Sequence, residues 1–223
     1  NLTDASRRIY SEVFMNNKFT EKMLEKLRTD VKKEMGEKRY NHTLEVEKMA
    51  IRLGEIYAPD KIPILRAAAL LHDVTKERST EEHIAICEKA GLVVSEAERK
   101  APKMFHSRTA ALVIPEKYPE FAVPELVEAV RYHTTGKADM NIIEKIIYLA
   151  DYIDMSRSFE DCVALRKYFF DFDFENASEE DKIAHLRETL IRSYDYTIRG
   201  LLEDGKYIND TTFEARNFLI LER

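Results

Sequence analysis

The chain has 223 residues, a formal net charge of −6, 44% hydrophobic residues, and only six glycines and six prolines. That apolar share can fill a sizeable core, and the scarcity of Gly and Pro argues against a β-sandwich and against disorder. The negative balance makes a nucleic-acid polymer an unfavourable default partner, and an anionic substrate would need cations concentrated at its own site.

Residues 5–16 read as a short amphipathic helix with Ile9, Val13 and Phe14 as its stripe, an N-terminal helical extension over 1–20. Thr20 caps a second helix that carries Met23, Leu24, Leu27 and Val31 and is closed by Gly36. The next helix runs over about 38–57, with Pro59 as its stop. On it His42, Val46, Met49 and Leu53 fall at i, i+4, i+7 and i+11, so His42 projects inward from the first turn. Alone, such a residue is more often a satisfied core histidine than a ligand.

Pro63 suits the first turn of the following helix, whose stretch Ala67-Ala68-Ala69-Leu70-Leu71 delivers His72 and Asp73 at its end. Burying that pair without partners costs several kcal/mol. A metal ion is the simplest partner, because imidazole and carboxylate are both common ligands. A turn with Lys76 and Arg78 follows. Ser79 and Glu82 then form a capping box for a helix to residue 90, closed by Gly91. His83 sits on that helix among Glu81, Glu82 and Glu88 and reads as a surface residue.

Ser95 caps a short helix through residue 101, and Phe105-His106-Ser107 opens the next, which Pro115 and Pro119 end. Pro124 begins a helix on which Val127, Val130 and His133 follow an i, i+3, i+6 path, with Thr134-Thr135-Gly136 as its exit turn. Asn141 caps a strongly apolar helix that runs into Asp151. Ile147 and Asp151 are i, i+4 partners, so this carboxylate points where isoleucines point and needs a cation or several donors. Asp154 comes one turn later, and Ser156, Arg157 and Ser158 form the exit loop.

A helix over 161–170 follows, then Asp171-Phe172-Asp173-Phe174, which alternates but is too short and acidic for a strand. Ser178 caps a long helix to about residue 202 with Ile183, Leu186, Leu190, Ile191, Tyr194 and Ile198 as its stripe; His185 lies off that stripe and reads as exposed. Thr211 or Thr212 starts the last helix. The pattern is about ten or more helices with short connections and no internal repeat, hence an all-α bundle.

Cys87 and Cys162 cannot build a disulfide framework and read as buried thiols of a reducing compartment. No apolar run reaches the roughly 20 residues of a membrane span, and Arg7 and Arg8 precede no apolar block of a signal peptide. The expected location is cytoplasmic.

His42, His72, His106 and His133 all end or begin helices beside apolar faces, and Asp73 and Asp151 share that placement. Each alone is more often structural. Together, six polar groups at helix ends need a common compensation. Their order, His, His-Asp, His, His, Asp, resembles the HD-domain superfamily of metal-dependent phosphohydrolases.

The flanks sharpen the resemblance. Arg39-Tyr40-Asn41-His42-Thr43-Leu44-Glu45-Val46, Leu70-Leu71-His72-Asp73-Val74-Thr75-Lys76, Arg131-Tyr132-His133-Thr134-Thr135-Gly136 and Tyr148-Leu149-Ala150-Asp151-Tyr152-Ile153-Asp154 are similar to the YqeK family of HD-domain proteins, bacterial symmetrical diadenosine tetraphosphate hydrolases. Glu214-Ala215-Arg216-Asn217-Phe218-Leu219 echoes that family's closing segment. The chain departs at Asp154-Met155-Ser156-Arg157, where a Glu-Pro type turn is expected, and this leaves the role of Arg157 less defined.

The resemblance implies an all-α HD-domain helical bundle over 21–223 with a metal site at its centre. It implies that His42, His72, Asp73 and Asp151 hold one metal. Asp73 would bridge to a second metal supported by His106 and His133, which could instead contact phosphate. Iron is favoured by the resemblance, as one or two ions; manganese and zinc also suit the donor set. The implied reaction is symmetric cleavage of diadenosine tetraphosphate to two ADP by a metal-activated water, with Asp73 and Lys76 as catalytic residues. Lys76 is the leading phosphate contact. Arg131, Arg157, Thr134, Thr135 and Gly136 are further substrate-binding candidates, the glycine being equally explained as a helix C-cap. Lys137 and Arg108 are weaker ones, with solvated surface as their alternative. The runner-up functions are an HD phosphohydrolase of another nucleotide and an HD-type di-iron oxygenase. The expected partner is a dinucleoside polyphosphate or other nucleotide, with no nucleic-acid polymer and no membrane; a homodimer is the open oligomeric alternative.

Overall fold

The structure is a computed structural model and describes residues 19–222. The helix read over 5–16 therefore lies outside the described residues, apart from which the chain is helical as expected. Eleven α-helices follow one another: α1 (Glu21–Val31), α2 (Glu37–Tyr57), α3 (Ile62–Leu71), α4 (Thr80–Lys89), α5 (Glu96–Lys100), α6 (Phe105–Lys117), α7 (Pro124–Tyr132), α8 (Ile142–Ile153), α9 (Glu160–Phe170), α10 (Glu179–Glu203) and α11 (Asp210–Leu221). Single 3₁₀ turns precede α3, α6 and α7, and no strand occurs among the described residues.

Local chemistry sets most of the helix starts. The hydroxyls of Ser79 and Ser95 accept from the backbone amides of Glu82 and Glu98, whose carboxylates return the bond, and Asn141 makes the same reciprocal pair with Glu144. Thr20 and Ser178 cap α1 and α10.

Helix α3 is the axis of the bundle. Residues Ala67 to Leu71 are wholly buried, so the C-terminal half of the helix has no solvent face, and the helix packs against α1, α2, α7 and α8. Its small residues allow that approach. On the facing side Gly54 of α2 does the same, since a Cβ there would come within 2.7 Å of Leu65. Helix α8 crosses both α2 and α7, which closes the core around the C-terminal end of α3.

Several expectations change. Gly36 does not close α1, which ends at Val31, but is the N-cap residue of α2. Pro115 lies inside α6 rather than ending it. A proline so near the C-terminus removes one ladder bond only, and the amide of Tyr118 still reaches the carbonyl of Ile114 at 2.8 Å. Asn209, not Thr211 or Thr212, caps α11.

His83 is buried, not on the surface: its ring stacks on Phe105 and its Nδ1 meets the Thr109 hydroxyl at 2.8 Å. His185 is also buried, stacked on Phe172 with ring centroids 4.1 Å apart, and its Nε2 donates to the carbonyl of Phe169. In both cases a ring from outside the helix covers a position that helical periodicity alone assigns to solvent.

Candidate metal centre

Five helix ends converge on one point. The second turn of α2 supplies His42, the end of α3 supplies His72 with Asp73 directly after it, and the start of α6 supplies His106. His133 follows the last residue of α7, and Asp151 lies in the last turn of α8. Helix ends suit this task, because a terminal residue can aim a polar group inward without displacing a core side chain.

Three of the histidines are aimed by the same device. His72 Nδ1 donates to the carbonyl of Ala69 at 2.6 Å, His106 Nδ1 to Lys103 at 2.7 Å, and His133 Nδ1 to Val130 at 2.7 Å. Each partner lies three residues back on the same turn. The proton is thereby held on Nδ1, and each Nε2 turns its lone pair inward. His42 is held differently: its Nδ1 faces Ser156 Oγ at 3.0 Å and Asp154 Oδ2 at 3.5 Å, and its Nε2 faces Asp151 Oδ1 at 3.0 Å.

Asp73 occupies the middle. Its Oδ2 is 3.5 Å from His72 Nε2 and 3.8 Å from His42 Nε2. Its Oδ1 is 3.3 Å from His106 Nε2 and 3.7 Å from His133 Nε2. The two oxygens of one carboxylate thus face two different sets of imidazoles. His72 Nε2 is also 3.7 Å from Asp151 Oδ1, so both carboxylates meet at one ring nitrogen.

Two triads among the described residues place their donor atoms within 4.8 Å of one another, His42, His72 and Asp151, and His72, Asp73 and His133. The fit of a divalent metal to this donor set is testable on unsatisfied atoms. His72 Nε2 and Asp73 Oδ1 are buried without a hydrogen-bond partner. An unpaired buried polar group costs about 1–3 kcal/mol, and more when charged. His106 Nε2 and His133 Nε2 stand 3.0 Å apart, and with both Nδ1 protons engaged these are two facing lone pairs. A cation relieves all of these at once, so nitrogen and oxygen donors of this kind fit a divalent metal.

The charges are strongly perturbed. Burial opposes protonation of His42, but the carboxylates of Asp151 and Asp154 override it and raise the ring to about 9. Burial lowers His72 to about 4 despite Asp73 and Asp151. Burial acts to raise Asp73, yet the surrounding histidines and Lys76 hold it well below the usual carboxylate range.

Cations ring the cluster. Lys76 Nζ donates to His106 Nε2 at 2.9 Å and lies 3.8 Å from Asp73 Oδ1, with about a third of its side chain exposed. Burial pushes the Lys76 ammonium down from its ordinary value. Arg157 Nη2 donates to Asp151 Oδ1 at 2.6 Å and its Nε to the Asp151 carbonyl. Thr134 Oγ1 donates to His106 Nε2 at 3.0 Å.

The other substrate-binding candidates stand apart from these contacts. Arg131 packs against Tyr132 and lines a small cleft with Arg108, Thr135 and Asn209. Arg108 is paired with Glu98, and Lys137 with Glu144 and Glu128. Gly136 has φ +65°, and a Cβ there would lie 1.9 Å from the Tyr194 hydroxyl. Its amide closes the α7 turn on Tyr132, so a turn and a close approach require glycine at this position.

Three residues join the centre that the sequence reading gave no role. Arg39, one turn before His42 on α2, donates to Asp73 Oδ2 at 2.7 Å. Asp154 is fully buried, and its Oδ1 accepts from the backbone amide and the hydroxyl of Ser156. Arg166 of α9 holds this loop by donating to the carbonyls of Ile153, Asp154 and Arg157. The i, i+3 spacings Arg39–His42 and Asp151–Asp154 are the only sequence signals for them.

Comparison with known proteins gives the family. The family model "HD domain" matches residues 39–156, which span the segment from Arg39 to Ser156. The protein named symmetrical bis(5'-nucleosyl)-tetraphosphatase of Bacillus subtilis (strain 168) is 30% identical over 190 residues, 85% of this chain and 94% of the relative. The protein of the same name from Halalkalibacterium halodurans is 30% identical over 193 residues, 86% and 95% of the two chains. Among solved structures, a predicted HD superfamily hydrolase from Clostridium acetobutylicum, described as involved in NAD metabolism, superposes with a TM-score of 0.76 at 30% identity, covering 89% of this chain and 97% of that one.

Proposed function

Because the chain belongs to the HD domain family, a family of metal-dependent phosphohydrolases, we propose that it cleaves diadenosine tetraphosphate symmetrically: one water is consumed, the central P–O–P bridge breaks, and two ADP leave. The observation that carries this reading is the division of Asp73, one oxygen toward His42 and His72 and the other toward His106 and His133. Such a carboxylate is suited to sit between two cations. The names of the relatives support the substrate.

His42, His72, Asp73 and Asp151 would hold one cation, with Asp73, His106 and His133 available to a second. The mixture of imidazole and carboxylate donors suits iron, manganese and zinc alike, and we favour iron on the family resemblance. When bound, a divalent cation supplies Lewis acidity, lowering the pKa of water and offsetting charge on phosphoryl oxygens.

The protein's own groups do the rest. The Nδ1–carbonyl bonds of His72, His106 and His133 keep those rings oriented. Asp73 is ionised, held so by its histidines and Lys76. Lys76, part-exposed beside Asp73, is the group placed to meet an incoming phosphate and to stabilise charge as it accumulates on the phosphoryl oxygens. Arg157 and Thr134 stand on the two sides of the same cluster, and we assign both to substrate binding. We also keep Arg131, Thr135 and Gly136 as substrate-binding residues; Arg131 and Thr135 line one small cleft.

We take 21–223 as one HD phosphohydrolase domain. No helix among the described residues is long and apolar enough to cross a membrane. Cys87 and Cys162 are both unpaired thiols, and we place the enzyme in the cytoplasm on that ground.

The test is product analysis. Protein loaded with Fe(II) or Mn(II) should convert diadenosine tetraphosphate to ADP alone. A mixture of AMP and ATP overturns symmetric cleavage. Faster turnover of NAD or of a single nucleoside triphosphate overturns the substrate. Oxygen uptake without phosphate chemistry would move the protein to the oxygenase class.

A further inference from the structure

A cleft of about 780 Å³ opens beside the metal centre and is lined by Arg39, Asn41, His42, Ser156, Arg157 and Phe159. Its lining includes His42 and the two arginines that contact Asp73 and Asp151. It also includes Phe159, and this residue breaks two local rules. It is 69% exposed, although a phenylalanine of the core is normally buried. It is also the N-cap residue of α9 and makes no cap bond, at a position where Ser, Thr, Asp or Asn stabilises a helix by about 1 kcal/mol. Ser158, immediately before it, is the residue type that position favours. Among the described residues its ring packs against no other aromatic ring, whereas Phe169, Phe170, Phe172 and Phe174 pack edge-on or tilted against one another. An aromatic face kept bare at a helix start, in the cleft that leads to a phosphate site, is placed for a ligand.

We propose that Phe159 is the platform on which one purine base of the substrate stacks, setting the distance from base to metal centre. The inference rests on the nucleotide-hydrolase reading above. The chemistry is that of base–aromatic stacking, which tolerates any planar base and needs no hydrogen-bond code. The ribose and the first phosphates then cross the stretch lined by Ser156 and Arg157, and the polyphosphate reaches His42 and Asp73. A cleft of this volume is of the usual size for a ligand of nucleotide dimensions.

The chain contains no tryptophan, so Phe159→Trp makes a single-site fluorophore at the platform. With Mn(II)-loaded protein, ADP should quench this emission and inorganic pyrophosphate should not. Phe159→Ala and Phe159→Leu should raise KM for diadenosine tetraphosphate about tenfold to a hundredfold, the range for loss of one stacked base, with kcat changed far less; Phe159→Trp should retain the wild-type KM. Both truncations replace an exposed side chain, so the fold is kept. Quenching by ADP in a protein that does not cleave diadenosine tetraphosphate would keep the platform and reject the proposed reaction. Cleavage with an unchanged KM in both truncations, and no quenching, would reject the platform and keep the reaction. A fall in molecular mass in Phe159→Ala, with KM unchanged, would assign the ring to a contact between two copies of the chain and equally reject the proposal.

Discussion

Asp154 Oδ2 stands 3.5 Å from Nδ1 of His42, on the opposite side of the ring from the Nε2 that faces Asp151. A carboxylate behind an imidazole fixes ring orientation and increases the basicity of the ligating nitrogen. Asp154→Asn keeps the shape and removes the charge. Metal affinity should fall about 10- to 100-fold, the range for loss of such a partner, with turnover restored by excess Mn(II). A competition titration against a chelator measures the first, and unchanged affinity would make Asp154 a loop-structure residue only.

Asp73→Ala removes both oxygens at the middle of the cluster. Metal content by elemental analysis should drop toward zero, and cleavage should fall more than about 100-fold, beyond the range for an outer partner. The variant should still fold: the four histidines keep the carboxylates of Asp151 and Asp154 beside them, and circular dichroism should stay helical. Full activity in this variant would refute the assignment of the centre.

Metal binding should depend on pH with a definite sign. Burial works against the His42 proton, but Asp151 and Asp154 hold it on up to about pH 9, whereas His72 is neutral above about pH 4. A cation needs the neutral ring, so one proton leaves as it binds. Mn(II) affinity should rise about tenfold per pH unit between pH 6.5 and 8.5 and level off near 9. Calorimetry in two buffers of different ionisation enthalpy counts the proton. The same shift makes the metal-free fold most stable below the ordinary histidine value of 6.5, with that increment lost as pH rises through 9. A flat affinity profile would show that the ring is already neutral.

Gly136→Ala should destabilise the fold strongly. It places a Cβ 1.9 Å from the Tyr194 hydroxyl at a backbone φ of +65°. Strain and overpacking together should cost about 2–4 kcal/mol by urea denaturation. Adding Tyr194→Phe should recover part of this loss, since it removes the hydroxyl oxygen but leaves the ring carbon that a Cβ would also meet. No change in midpoint would mean that the turn relaxes freely.

The convergence of His42, His72, Asp73, His106, His133 and Asp151 was readable in advance because each sits at the end of an apolar stripe, and helical periodicity reports which way a terminal residue faces. Arg39 and Asp154 were not, since their partners come from other helices, and periodicity describes a helix without its neighbours. His83 and His185 show the reverse failure. Acidic neighbours of His83 and the off-stripe position of His185 suggest solvent, but Phe105 and Phe172 cover the two rings. Pro115 likewise looks like a stop only if the packing of α6 is ignored.

The three histidines that bond a carbonyl on their own turn have a consequence for how the enzyme matures. Their orientation is secured by the helices that carry them, so folding and metal capture are separable events. A metal ion would then be a late arrival in a finished receptacle. Which ion arrives would be decided by the supply in the surrounding compartment as much as by the donors themselves. Turnover of the enzyme would thus rise and fall with the availability of its metal, without any change in the amount of protein.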